Sequence, residues 1–228
     1  MNRQDWLAGR LAAGKSKGKQ TMFTLALPNS GRLAEPVRQL MEQAGLPLGE
    51  HLPSRALQVT YPKLDLRVVF TRPKDAGKLI EGGYIDLAIS AQDILAEYPA
   101  RVKVFQKLNL GKCSVVVAVR QDSSFQRVQD LEGRVIATGY SSLTHTWFLQ
   151  QGIGIANIVV LHGALEIAPW LGCCDGIVDS YQTGLSARAN QLKVLATVMT
   201  SEAVLIGQPE ITFPEPIVFL LDKLAQLM

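Results

Sequence analysis

Asp175-Gly176-Ile177-Val178-Asp179-Ser180-Tyr181-Gln182-Thr183-Gly184-Leu185-Ser186-Ala187-Arg188-Ala189-Asn190 is the stretch on which the fold turns. Gly176-Ile177-Val178 reads as a buried strand that delivers a carboxylate at Asp179. Thr183-Gly184 then makes a tight turn offering backbone N–H groups and a hydroxyl, and Ser186 stands where a helix near Ala187 begins. Turns with exposed amides and helix N-termini bind phosphate through unsatisfied donors and the positive end of the helix dipole. Asp179 does not suit the phosphate itself, because like charges repel. It fits ribose hydroxyls, a metal, or the turn's own amides. Thr and Ser are also ordinary N-cap residues, so local sequence leaves a plain helix start open beside the phosphate reading.

Outward from this segment the strand–turn–helix pattern repeats. Upstream, Ser114–Val119, Arg134–Thr138 and Ile158–Leu161 read as strands, with a helix over Ser142–Gln151 that turns Leu143, Trp147 and Phe148 inward, loop and short helix over Ser123–Leu131, and a short helix over Leu165–Leu171. Nearer the start, Phe23–Pro28, Leu57–Thr60, Leu66–Phe70 and Ile85–Ile89 read as strands, and Arg32–Ala44 and Asp75–Glu81 as helices. Gly45 is placed as a C-cap. Ser90 and Ala91 lead into a short helix through Leu95. Downstream, Lys193–Met199 and Ala203–Ile206 read as strands returning to the first group, and Asp222–Met228 as a terminal helix. Alternation of this kind builds a parallel or mixed sheet covered by helices. Two such groups with a late return strand describe an α/β protein of two lobes, the second inserted into the first. The expected bounds are 1–20 for an N-terminal extension, 21–112 and 192–228 for lobe I, and 113–191 for lobe II. A cleft between two such lobes, beyond the carboxyl ends of strands, is the expected place for a ligand.

The 228 residues carry 47% hydrophobic and 19% charged side chains, which suits a folded chain with sizeable cores. A net charge of +3, with no basic stripe interleaved with aromatics, argues against nucleic acid as a partner. No apolar run is long enough to span a bilayer. Met1–Gln20 is basic and lacks the apolar core of a secretory signal; its Gly14–Lys19 stretch reads as a tether and the whole as an extension. A cytoplasmic location is expected. Cys113, Cys173 and Cys174 are too few and too irregular for a disulfide framework. All three are expected as small buried hydrophobes, the adjacent pair with diverging side chains. His51 and His162 lack metal-ligand spacing, and His145 reads as a helix-surface residue.

A second chemical feature is Asn29-Ser30-Gly31-Arg32-Leu33. A cation at a helix start opposes the dipole, so Arg32 suits anion binding better than it suits helix stability.

Further motifs lie in order between these two features: Ser54-Arg55-Ala56-Leu57, Arg72-Pro73-Lys74-Asp75, Gly83-Tyr84-Ile85-Asp86-Leu87-Ala88-Ile89, Gly111-Lys112-Cys113-Ser114, Arg134-Val135-Ile136-Ala137-Thr138-Gly139-Tyr140 and Gly163-Ala164-Leu165-Glu166-Ile167-Ala168-Pro169. Together with the Asp179–Leu192 loop they resemble the catalytic subunit of ATP phosphoribosyltransferase, short form. The likeness runs from about Phe23 to about Ile206. It implies a periplasmic-binding-protein-like (type II) fold and the first step of histidine biosynthesis, in which N1 of ATP displaces pyrophosphate from C1 of phosphoribosyl pyrophosphate with Mg2+ present. Thr183, Gly184 and Ser186 would hold the 5′-phosphate, Asp179 would lie near the ribose, and Arg32, Arg55 and Arg72 would supply charge for ATP or pyrophosphate. Glu166 would line the cleft. The likeness further implies a separate regulatory subunit resembling a histidyl-tRNA synthetase, in a homo- or hetero-oligomer.

The sequence departs from the family pattern at Asn29, where a lysine is usual, and at Gln182 and Leu185 in the loop. Ala164 stands in place of a serine, and His145 and Thr146 where basic residues are frequent. Each lost charge-assisted contact is worth about 1.5–3 kcal/mol. The alternative reading is therefore a weakened paralogue that binds a phosphorylated metabolite or acts as a regulatory subunit. A third is a phosphoribosyltransferase with another acceptor base.

Overall fold

The structure, a computed structural model, describes residues 22–48, 56–182 and 184–228, apart from the side chains of Leu185 and Ser186. The expected N-terminal extension, Arg55 and Thr183 lie outside the described residues. In chain order the regular elements are β1 (Phe23–Pro28), α1 (Ala34–Gln43), β2 (Gln58–Tyr61), β3 (Leu66–Thr71), α2 (Pro73–Glu81), β4 (Leu87–Ala91), α3 (Gln92–Glu97) and β5 (Lys103–Lys107). Then come β6 (Cys113–Arg120), β7 (Val135–Thr138), α4 (Ser141–Gln150), β8 (Asn157–Val160), β9 (Gly176–Tyr181) and α5 (Leu185–Ala189). β10 (Leu192–Ser201), β11 (Ala203–Gly207) and α6 (Glu215–Gln226) close the chain.

The chain divides into two compact units. The first comprises Met1–Ser90, Ala100–Leu110 and Ala203–Met228; the second, Ala91–Pro99 and Gly111–Glu202, is inserted into it.

The first unit holds a mixed sheet in the order β2-β3-β1-β4-β11-β5. β1 is buried at every residue and runs parallel to both β3 and β4. A strand covered on both faces needs no polar alternation, which is why Phe-Thr-Leu-Ala-Leu reads as nearly continuous apolar sequence. α1 ends as Gly45 predicts: this residue takes φ +84°, its N–H donates to Glu42 O, and the Leu46 N–H donates to Met41 O, both at 2.9 Å. These two bonds form a Schellman motif. α2 opens two residues before the expected Asp75, with Pro73 in its first turn, where a missing N–H costs nothing. β4 sits two residues later than the Ile85–Ile89 expectation and takes in Ser90 and Ala91. Asp86 instead holds the preceding turn, accepting the Thr24 N–H at 2.7 Å while its own N–H donates to Thr24 O at 3.0 Å.

One element of this unit escapes the sequence reading and another begins earlier than expected. β5 is an edge strand with Lys103 and Lys107 exposed, so it carries no apolar alternation to recognise. α6 starts at Glu215 rather than Asp222; Ile217, Leu220, Leu221 and Leu224 form its buried face.

The second unit holds a five-stranded sheet, β10-β6-β9-β7-β8. Both faces of β6 are buried. Val115, Val117 and Val119 pack with Leu131, Ile136 and Phe148, while Val116 and Ala118 pack with Leu165, Ile177 and Leu192. The expected return of Lys193–Met199 to the first group does not occur. These residues belong to β10, a ten-residue edge strand antiparallel to β6. Its pattern half-covers one face only, and the ladder to the valine-rich β6 decides its sheet. The Leu165–Leu171 helix shrinks to a 3-10 turn over Leu165–Ile167.

Candidate functional site in the second unit

β9 positions the chemistry. Its middle strand location, between antiparallel β6 and parallel β7, fixes its pleat. Gly176 lies so close to β6 that an added Cβ would stand 3.3 Å from Ala118 O. Ile177 and Tyr181 pack in one core with Leu165, Ala168 and Ala187, whereas Val178 packs in the other. By the two-residue period of a strand, Asp179 faces the side of Leu165 and Ala187.

Asp179 is largely withdrawn from water. Its carboxylate accepts the Ser180 N–H at 2.7 Å. Burial, reinforced by the negative charge of Glu166 and opposed by that N–H, pushes its pKa up to about 6. Glu166 stands on the 3-10 turn that follows Gly163 (φ +110°) and Ala164 (φ +47°). A left-handed backbone at alanine costs on the order of 1 kcal/mol or more, and here it brings a second acid toward the first. Tyr181 completes the group. It is 9% exposed, and its hydroxyl has no hydrogen-bond partner among the described residues. Burial and the two acids drive its phenol pKa upward.

The turn behind β9 is built for close approach. Gly184 adopts φ +69° with nothing within 4 Å of where a Cβ would stand. Its carbonyl accepts the Arg188 N–H at 3.1 Å and so begins α5. Ser186 lies in the first turn of α5. In the second unit the charge of Glu166 thus reaches Asp179, and Gly184 and the backbone of Ser186 follow the end of the same strand.

Arg32 and Arg72 belong to the first unit. Pro28 and Thr71 end β1 and β3 in register, and the Asn29 N–H donates to Thr71 O at 2.9 Å. The turn carrying Arg32 and the exposed Arg72 at the start of α2 therefore share one end of that sheet, the carboxyl end of its parallel strands.

A further polar group escapes sequence reasoning. Thr138 ends β7 by donating its hydroxyl to Val178 O at 2.8 Å and accepting the Tyr140 N–H at 2.8 Å. The Tyr140 hydroxyl donates to Asp93 at 2.9 Å, and Ser201 bonds the same acid. Glu97 accepts the Ser142 and Leu143 N–H groups, at 3.2 and 2.9 Å. The N-terminus of α4 is thereby filled by a protein carboxylate, and His145 stands exposed on that helix. The missing signal is long-range: Glu97 and Leu143 are far apart in sequence. For Tyr181 a signal existed, since counting by twos from Ile177 places it beside Asp179.

No three His, Cys, Asp or Glu side chains among the described residues gather as a metal cage. No helix among them is long and apolar enough to cross a membrane.

The sequence model of HisG, described as ATP phosphoribosyltransferase, matches residues 72–226. ATP phosphoribosyltransferase of Methanosarcina barkeri is 36% identical over 189 residues, covering 83% of this chain and 65% of that protein. That of Methanopyrus kandleri is 36% identical over 196 residues, covering 86% of this chain and 69% of its own length. The chain thus spans about 65% of the length of the first of these relatives. Among solved structures, the ATP phosphoribosyl transferase (HisG:HisZ) complex from Thermotoga maritima matches with a TM-score of 0.76 and 25% identity, covering 90% of this chain and 97% of that one. A substrate-binding protein of an amino acid ABC transporter matches with a TM-score of 0.57 at 13% identity, over 90% of this chain and 92% of its own. This last likeness shows the fold alone, the two-lobed, type II binding-protein architecture.

Proposed function

Since the chain belongs to the ATP phosphoribosyltransferase family, we propose that it transfers phosphoribosyl from phosphoribosyl pyrophosphate to N1 of ATP, the first step of histidine biosynthesis. The observation that carries this reading is the desolvated Asp179, paired with Glu166 at the end of β9 and followed by the left-handed Gly184 turn.

The chemistry asked of such a site is modest. N1 of ATP attacks C1 of the ribose, the C1–O bond to pyrophosphate breaks, and positive charge builds on the ring. The protein then mainly orients the reactants and answers the developing charge. The amides around Gly184, with the Thr183 and Ser186 hydroxyls, would hold the 5′-phosphate. Asp179, ionised above pH of about 6, would accept from ribose hydroxyls and oppose the charge at C1. Arg32, Arg72 and Arg55 would meet the polyphosphate oxygens, where guanidinium forks pair well. Asn29, Gln182 and Leu185 supply no cation.

Mg2+ is normally held by substrate phosphates plus one or two carboxylates, not by an all-protein cage. Asp179, and Glu166 whose charge reaches it, are the carboxylates that would hold the ion together with the substrate phosphates. When bound, it would neutralise the departing pyrophosphate.

The solved relative is a complex with HisZ. By that likeness the chain would work with a separate subunit resembling a histidyl-tRNA synthetase, in an oligomer, and in the cytoplasm.

The test is pyrophosphate release from ATP and phosphoribosyl pyrophosphate with Mg2+, with and without such a subunit. Release that needs both substrates supports the proposal. Absence of release in every combination, with the chain folded, overturns it.

A further inference from the structure

The adjacent cysteines are not both buried, as expected of them. Cys173 is exposed and Cys174 is buried, yet both line a single cavity of about 430 Å³ in the second unit. This is within the size range of small-molecule pockets. Phe125, Val135 and Pro169 supply an apolar wall. It lies by the first residue of β9, whereas Asp179 stands toward the other end of that strand.

The pair is held in place. The Cys173 thiol donates to Ala168 O at 3.2 Å. The next residue, Asp175, donates its N–H to Val135 O at 2.8 Å, and its carboxylate accepts the Val135 N–H at 2.9 Å. Arg120, across the cavity, is occupied: Asp122 binds it at 2.6 and 2.9 Å, and it stacks on Trp170 at 4.1 Å. The cavity therefore presents two thiols and an apolar patch within an otherwise polar lining of Asp122, Ser123, Ser124 and Asp175, with no free cation. Burial, reinforced by the neighbouring Cys173 thiol, pushes the Cys174 thiol up to about 12.

What such a pair takes follows from distance. Consecutive α-carbons stand about 3.8 Å apart across a trans peptide. Disulfides span about 4.4–6.8 Å between α-carbons. Direct S–S closure is therefore disfavoured, and an acceptor atom inserted between the sulfurs relieves the shortfall. Soft thiols select soft acceptors.

We infer that Cys173 and Cys174 form a vicinal dithiol site for a thiophilic electrophile of the trivalent arsenic class, with the apolar wall receiving its organic group. Cys173, the exposed thiol, attacks first. Cys174 then closes the ring on the same atom. With phenylarsine oxide, two S–H bonds and the arsenic–oxygen bond break, two arsenic–sulfur bonds form, and one water leaves. Arsenic stays trivalent, so no oxidant or reductant is required.

The experiment titrates the reduced chain with phenylarsine oxide and counts free thiols and intact mass. The expected result is loss of two of the three thiols for each arsenic bound, reversed by ethanedithiol but not by an equal concentration of a monothiol. Cys173→Ser, at an exposed position that tolerates change, is expected to weaken binding at least 100-fold, and Cys174→Ser likewise. Cys113→Ser leaves it unchanged. Loss of one thiol per arsenic, or undiminished binding by folded Cys173→Ser, overturns the inference. The result is independent of phosphoribosyl transfer, because no residue of the Asp179 loop takes part.

Discussion

The Glu97 carboxylate accepts the Leu143 N–H at 2.9 Å and caps a helix 46 residues away in sequence. Glu97 is only 5% exposed, so the N–H groups it serves have no easy substitute in water. Removing one partner of a buried bond costs the desolvation of the other, about 1–3 kcal/mol. Glu97→Ala is expected to lower unfolding free energy by that amount in a urea titration. Glu97→Gln, which keeps an acceptor oxygen, is expected to lose less than half as much. Equal losses would assign the effect to packing instead.

Asp179 gives a pH dependence with a definite sign. Its folded pKa of about 6 stands above the ordinary carboxylate value of 3.8. Between these values the folded chain holds the extra proton, so stability falls as pH rises through the window from about 4 to 6. Above it the full cost applies, on the order of 2–3 kcal/mol. Asp179→Asn is therefore expected to raise Tm at pH 7.5 and to change it little at pH 4. The same variant is expected to lose at least tenfold in kcat/KM for phosphoribosyl pyrophosphate. In the unsubstituted chain that quantity is expected to decline below pH of about 6, as Asp179 takes its proton.

Tyr181 buries a hydroxyl that finds no partner among the described residues. Such a group destabilises by about 1–3 kcal/mol. Tyr181→Phe keeps the ring within the core formed with Ile177 and Ala187 and deletes the orphan. A gain of about 1 kcal/mol in a chemical denaturation experiment is expected. Unchanged or lower stability would mean that the hydroxyl is satisfied in solution.

Gly184 combines φ +69° with open space at the Cβ position. An added methyl meets no atom, so its cost is conformational, on the order of 1 kcal/mol. Gly184→Ala is expected to fold with a slightly lower Tm. It is also expected to raise KM for phosphoribosyl pyrophosphate at least tenfold, because the methyl occupies the approach to the loop amides. An unchanged KM alongside a lowered Tm would make Gly184 a turn residue only.

Most of the fold was legible before any coordinates. Phe23–Pro28 and Cys113–Arg120 announce themselves because strands covered on both faces must be apolar throughout. Arg32 and the Asp179 loop stood out because cations at helix starts and polar turns after buried strands are locally anomalous, and Arg72 through the family resemblance alone. β5 and β10 were different. Lys103–Lys107 carries no periodic signal, and Lys193–Met199 carries no label saying which sheet it joins. The choice was made by the ladder with β6, a contact between residues about 80 positions apart.

By itself the sequence determined the strand–turn–helix units, their order, the family, and the candidate phosphate loop. Each rests on local periodicity, on turn residues, or on motifs a few residues long. Only the tertiary structure decided that Asp179 shares its surroundings with Glu166, that Glu97 caps α4, and that two neighbouring cysteines open into one cavity. These depend on burial and on partners far apart along the chain. A carboxylate's proton affinity and a thiol's accessibility are set by what surrounds them, and that exists only once the chain has folded.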